Sequence, residues 1–246
     1  MLWHKAWRES RVRFLVSAAV LSFLCASFVN GARHNFPPIF EPTMPYSVFI
    51  WRGIYNGPNR LLFVLMVLVL GLGCLQRERA SGTAACTLAL PVGRFLLVST
   101  RAAVGFLEVA TLSVIPVLIV PMLSLRIGHF YPTTQAVQFA LLFTSAGAVW
   151  LAAGFLMSTA LTSEHTPTAG CVLAPFLYLA IVNGSSLQRF PAINLFNVMN
   201  GSRMPYFDPK SAFLIGPPPW TTLAVLAIVA VGLLSVAARV TQRQDF

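Results

Sequence analysis

The chain is poor in charge. Of its 246 residues, 10% are Asp, Glu, Lys or Arg, and only seven are acidic. A soluble domain carries roughly a quarter charged residues, so this chain has too little polar surface to cover a water-soluble fold of its length. The same numbers exclude an intrinsically disordered chain, which needs high charge and low hydrophobicity. Cysteine is scarce as well: Cys25, Cys74, Cys86 and Cys171 are the only four, and no two stand at CxxC spacing. That excludes a disulfide framework and a structural zinc site, and leaves the thiols as small apolar packing groups. The four histidines, His4, His34, His129 and His165, are isolated from one another. His34, Glu41 and His129 fall on one side of the membrane in the topology below, but nothing in their spacing fixes a ligand set, so no metal is expected. No GxxxxGK[ST], HExxH, GxSxG or DFG occurs, so the chain has no phosphate-cradling loop, zinc-protease pair, nucleophile elbow or kinase magnesium motif. Gly71-Leu72-Gly73 is a glycine pair at the end of an apolar run rather than a phosphate loop.

Hydrophobic residues make up 57% of the chain, and they come in runs. A helix crossing the hydrocarbon core needs about 20 mostly apolar residues. Six stretches meet or approach that length: Phe14 to Val29, Pro58 to Leu75, Ala102 to Leu123, Ala136 to Leu161, Thr166 to Asn183, and Trp220 to Ala238. Pro58 suits the first helical position, where its missing N–H is not needed. The first stretch has a basic front like a signal peptide, but no convincing small-residue cleavage site follows it, and we read it as a retained helix. The expected fold is therefore all-α and membrane-integral, a single domain over 1–246 with six transmembrane helices.

The net charge is +10, yet the basic residues form no single patch, so a nucleic-acid partner is not expected. They sit between and beside the apolar runs. Ten of them, Lys5, Arg8, Arg11, Arg13, Arg77, Arg79, Arg94, Arg101, Arg239 and Arg243, fall on one side of a six-span topology. The other seven are spread over longer segments. The positive-inside rule then places both termini in the cytoplasm of a cell inner (plasma) membrane, with the charges against lipid headgroups. The front, 1–12, sets Leu2, Trp3, Ala6 and Trp7 at helical spacing with Lys5, Arg8 and Glu9 elsewhere on the wheel, the pattern of an amphipathic interface helix. On the outer side, 30–57 and 184–219 are rich in proline and aromatics, suiting interfacial segments with short re-entrant helices. Asn183-Gly184-Ser185 is an N-x-S sequon that carries little weight here.

The segment between the second and third apolar runs, 76–94, is unlike a solvated linker. It opens with Arg77-Glu78-Arg79, continues through a helix-compatible run with Cys86, Leu88 and Leu90, and stops at Pro91. A short helix along the cytoplasmic face would satisfy its apolar residues, and Pro91 would fix the bend into the next span. Glu78, Gly82-Thr83, Leu88, Leu90-Pro91-Val92 and Arg94 resemble the motif of the membrane subunits of type-two ABC exporters: a glutamate, Gly-Thr, a leucine run, then Leu-Pro-Val-Ser-Arg. Gly93 stands where that family has serine, and the leucine run is thinned to Thr87-Leu88-Ala89-Leu90. The resemblance extends coarsely to the rest of the chain: a basic amphipathic front, six spans, and a long outer segment between the last two. It implies a permease half, with Glu78, Gly82, Thr83, Pro91 and Arg94 in a coupling helix that docks on a cytoplasmic ATP-binding cassette subunit. It also implies a second permease chain, identical or similar, with ATP and Mg held by the partner ATPase and no cofactor on this chain. Without the resemblance, Arg77, Arg79 and Arg94 are topology markers only.

Glu108 lies inside the third run, where a carboxylate is costly and marks a functional contact or a buried pair. Two readings stand: a polar site in the transport path, or a group near the cytoplasmic interface that shares a helix face with Arg101, seven residues earlier. Pro116, Pro121 and Pro175 fall within spans, as hinges or as ordinary membrane-helix prolines. Gly147 and Gly154 form a smooth face for close helix contact. Glu164 and His165 make a short inner turn. Outside the exporter reading, the chain fits a lipid-acting membrane enzyme or a non-transporting sensor or assembly protein, but the sequence supplies no catalytic set for the former.

Overall fold

The computed structural model describes residues 2–36, 43–72, 94–161, 166–184 and 194–243. The elements are α1 (Leu2–Asn35), α2 (Tyr46–Ile50) running into a π-helical turn (Trp51–Tyr55), α3 (Pro58–Gly71), α4 (Arg94–Arg126), α5 (Thr133–Ala160), α6 (Thr166–Val182), α7 (Leu195–Met199), the two-residue strands β1 (Phe207–Asp208) and β2 (Phe213–Leu214), and α8 (Trp220–Arg243). Among the described residues, five helical stretches are long and apolar enough to cross a bilayer: Leu2–His34, Tyr46–Gly71, Leu96–Arg126, Thr133–Ala160 and Trp220–Thr241. Thr166–Val182 is apolar but shorter, at 17 residues. The protein is thus an all-α membrane protein in which the apolar runs of the sequence became the long helices.

Two elements differ from the sequence expectation. The amphipathic front is not a separate helix over 1–12, because Leu2–Asn35 is one helix of 34 residues. At 1.5 Å per residue it is about 51 Å long, roughly 20 Å more than the hydrocarbon core requires. Polar contacts with α4, described below, hold its front turns against that helix. The second crossing also begins earlier than Pro58. Tyr46 starts a helix that widens into the π turn, breaks at Asn56-Gly57, and restarts at Pro58 in the N1 position. Aromatic packing explains why this stretch is buried rather than interfacial. Tyr55 stacks on Phe139 at 4.3 Å and meets Phe143 edge-on.

α5 is the central helix, and residues along its whole length are buried. α4 runs antiparallel to it, since Ser113 meets Thr144 while Gly105 lies against Leu151. α3 runs parallel to it, with Phe63 on Phe143 at one level and Gly71 on Gly154 at another. The Gly71–Gly154 contact requires glycine. A Cβ at Gly71 would stand 2.8 Å from the Leu151 carbonyl oxygen, and one at Gly154 3.0 Å from that of Leu68. Small residues that let backbones touch are the usual means of packing helices in lipid. α6 returns antiparallel to α5, with Cys171 beside Met157 and Trp150 edge-on to Tyr178. α1 and α4 run parallel, because Glu9 meets Arg101 at one end and Phe36 meets His129 at the other.

The described part of the 184–219 segment docks on the ends of these helices. The Asn194 side chain caps α7 by accepting from the Asn197 N–H at 3.2 Å. The Trp51 indole donates to the Asn200 carbonyl at 2.8 Å, and the Arg60 guanidinium to the Phe196 carbonyl at 2.7 Å. Gln135 bonds the Leu214 backbone in both directions, and Gln138 donates to the Gly216 carbonyl. This end of the protein is therefore a fixed cap, built by side chains that satisfy loop backbone groups.

Candidate functional site

The front turns of α1, the last turn of α3 and the first turns of α4 meet at the end opposite that cap. Helical spacing explains which side chains gather there. Lys5 and Glu9 are one turn apart on α1, 3.9 Å from each other. Arg101 and Glu108 are two turns apart on α4 and share a face. That face is turned to α1. The Arg101 guanidinium donates to the Glu9 carboxylate at 2.9 Å, and the Ser10 hydroxyl donates to the Glu108 carboxylate. The Arg13 guanidinium reaches the Val69 carbonyl of α3 at 3.3 Å. Arg101 is 8% exposed and Glu108 3%. Ala6, Glu9, Ser10, Leu70, Arg101 and Glu108 are among the residues around a small cavity of about 30 Å³, room for about one or two water molecules.

Burial of this kind is costly unless each charge meets an opposite charge or a hydrogen bond. Here the carboxylates and guanidiniums come from different helices, so satisfying them forces α1 and α4 into one register. Its chemistry is that of a clamp: a cation, a carboxylate, and a second carboxylate held by a hydroxyl.

The other sequence-derived residues are placed as follows. Glu78, Gly82, Thr83 and Pro91 lie outside the described residues. Arg94 opens α4, and its side chain lies outside them too. Glu108 faces α1 of its own chain. Arg101, on the shared face the sequence indicated, is bonded to Glu9 rather than to Glu108. His129 stacks on Tyr46 at 4.5 Å and meets Phe36 edge-on, so its ring serves aromatic packing. Glu41, Glu164 and His165 lie outside the described residues. Cys25 and Cys171 are buried free thiols. Pro116 and Pro121 sit within the continuous α4, and Pro175 within α6.

Sequence reasoning missed Glu9 and Ser10. It set Glu9 on the solvated side of the front helix, because the contacts of Arg101 and Glu108 with that front arise from helix packing that no local pattern shows. Neither a family model nor a curated protein matches the chain.

Proposed function

We propose that the chain is the permease subunit of an ATP-driven exporter, crossing the membrane six times with both termini in the cytoplasm. The crossing that completes the six is the fifth in chain order, Thr166–Val182, whose 17 residues span about 26 Å, near the lower limit for a bilayer helix. Two such permeases enclose the path, and separate ATP-binding subunits with Mg supply the energy. The observation that carries this reading is the motif Glu78, Gly82-Thr83, Leu90-Pro91-Val92 and Arg94 in the segment that joins the end of α3 to the start of α4.

The position of the clamp supports it. A segment pushed from the cytosol needs a stiff attachment, and Arg94, Arg101 and Glu108 follow one another along a single helix. Arg101 is seven residues, or about 10 Å, past the first residue of α4. Force applied at the front of α4 is shared with α1 through the Glu9 and Ser10 contacts. Such a lever acts by biasing two global states that differ in exposure of the path.

Co-expression with a cytoplasmic ATP-binding cassette subunit from the same cell tests the reading. It predicts a stable complex with stimulated ATP hydrolysis, weakened by Glu78→Lys. Assembly and hydrolysis that do not respond to Glu78→Lys would remove the docking role.

A further inference from the structure

Helix packing divides the charges in the front turns of α1 between two faces. Lys5, Glu9 and Arg13 are engaged within the fold: Lys5 with Glu9 at 3.9 Å, Glu9 with Arg101 at 2.9 Å, and Arg13 with the Val69 carbonyl at 3.3 Å. Arg8 and Arg11 stand on the opposite face. Both are exposed, and among the described residues neither has a carboxylate partner. They are three residues apart, hence neighbours on the helix surface. Trp7, one turn before Arg11, is 37% exposed beside them.

The same face turns apolar within one residue. Arg8, Arg11, Val12 and Leu15 follow the i, i+3, i+4, i+7 spacing of one helix stripe. Val12, Leu15 and Phe23 are 65%, 58% and 70% exposed. α1 is long and apolar enough to cross a bilayer, so this part of the stripe is covered by acyl chains. From Val12 to Phe23 it measures about 16 Å at 1.5 Å per residue, close to the roughly 15 Å of hydrocarbon in one leaflet. The lipid that covers Val12 and Leu15 has its headgroup where the stripe becomes basic. Arg11 and Arg8 lie about 2 Å and 6 Å beyond Val12, inside a headgroup layer of about 5–8 Å. Continuity of the stripe thus selects a lipid over a soluble protein as the neighbour of these two arginines.

We propose that Arg8 and Arg11, with the Trp7 indole beside them, form a headgroup site for an anionic phospholipid in the leaflet on the side of the N terminus. Guanidinium forks match phosphate oxygens, and an indole suits headgroup depth. The phosphate of a zwitterionic headgroup is already balanced by its own ammonium, which would bring a third cation to a face that holds no carboxylate. An anionic headgroup brings the charge that the two arginines lack. The site is Arg8 and Arg11 rather than Lys5 or Arg13, because only the first two are turned out of the fold. The inference does not depend on the exporter reading, because the site is built from this chain alone and needs no ATPase.

The test uses the full-length chain in vesicles of equal parts phosphatidylcholine and phosphatidylglycerol. The photoreactive residue benzoylphenylalanine replaces Leu15 or, as a control, Leu173, which is 56% exposed on α6, a helix without a basic residue. After illumination, mass spectrometry identifies the lipid attached at each position. The expected result is enrichment of phosphatidylglycerol among the adducts at position 15 relative to those at position 173, by about fivefold for each arginine. Arg8→Gln/Arg11→Gln should bring the ratio at position 15 down to that at position 173. Both arginines are exposed and unpaired, so this variant keeps the fold. Arg239→Gln, which removes an exposed charge on α8, should leave the enrichment unchanged. Equal ratios at the two positions with both arginines present would reduce the contact to bulk annular lipid and overturn the proposal. So would enrichment that survives Arg8→Gln/Arg11→Gln, or that Arg239→Gln lowers as much. Cross-linking of position 15 to a second copy of the chain, with no lipid adduct, would assign the face to that copy instead.

Discussion

Arg101 of α4 and Glu9 of α1, 92 residues apart in sequence, form an ion pair with an N–O distance of 2.9 Å. Arg101 is nearly inaccessible while the Glu9 side chain is 26% exposed. The pair therefore resembles a buried ion pair from one side and a surface pair from the other. Arg101→Met should destabilise the protein in detergent by about 1–3 kcal/mol, less than for a fully buried pair. Glu9→Gln leaves the guanidinium buried without its carboxylate, so the double variant Glu9→Gln/Arg101→Met should cost less than the sum of the two single variants. A double-mutant cycle of thermal unfolding checks this, and strict additivity would show that the two residues do not interact.

Glu108 faces α1, where the Ser10 hydroxyl donates to it and Arg13 is close enough to act on its charge. Glu108→Gln keeps an acceptor for the Ser10 hydroxyl and should be tolerated. Ser10→Ala leaves a buried carboxylate with one partner fewer and should cost about 1–3 kcal/mol. Equal stability of Ser10→Ala and wild type would place Glu108 elsewhere, facing a path or a second subunit.

The close approach of α3 and α5 rests on Gly71 and Gly154. A Cβ at either would press on a backbone carbonyl that cannot move without shifting a helix. Gly71→Val and Gly154→Val should each destabilise by about 1–3 kcal/mol or more through overpacking. Gly232, with nothing within 4 Å of an added Cβ, should accept alanine without loss. Thermal unfolding of the three variants side by side decides it.

Asp208 sits in the turn between β1 and β2, outside the membrane-spanning helices. The Ser211 hydroxyl and the backbone N–H of Lys210 hold its carboxyl below the ordinary carboxylate range. A depressed carboxyl stabilises the folded turn above its unfolded pKa, and this contribution is lost as pH falls through the folded value. Protection of the Ala212 amide, which bonds the Asp208 carbonyl at 2.7 Å, measured as its hydrogen exchange relative to the intrinsic rate at the same pH, should therefore fall on acidification below the ordinary carboxylate range. Asp208→Asn should remove that dependence.

The crossings were legible in the sequence because an apolar run of fixed length has one economical structure in lipid. α4, α5 and α8 came out within a few residues of the apolar runs at their outer ends, and extended further where polar residues continue the helix. The front of α1 was not legible as part of the first crossing. Its pattern is amphipathic in isolation, and only Arg101 and Glu108, about ninety residues later, give Glu9 and Ser10 a partner inside the fold. The stretch from Tyr46 to Tyr55 reads as interfacial for a similar reason: its aromatic residues suit a headgroup belt until Phe139 and Phe143 are brought beside Tyr55. Glu108 was recognised as a residue needing a partner, since a carboxylate in an apolar run needs one, but the partner's identity depended on helix packing that no local pattern records.

The most direct measurement concerns the side of the membrane on which the α3–α4 connection lies and what covers it. Cys86 falls within that connection, and replacing Cys25, Cys74 and Cys171 by alanine leaves it as the single thiol. An impermeant maleimide should modify Cys86 in inside-out vesicles, should fail to do so in intact cells, and should be blocked when the ATP-binding subunit is bound. Modification from the outer face, or modification unaffected by the bound ATPase, would contradict a permease driven through that segment.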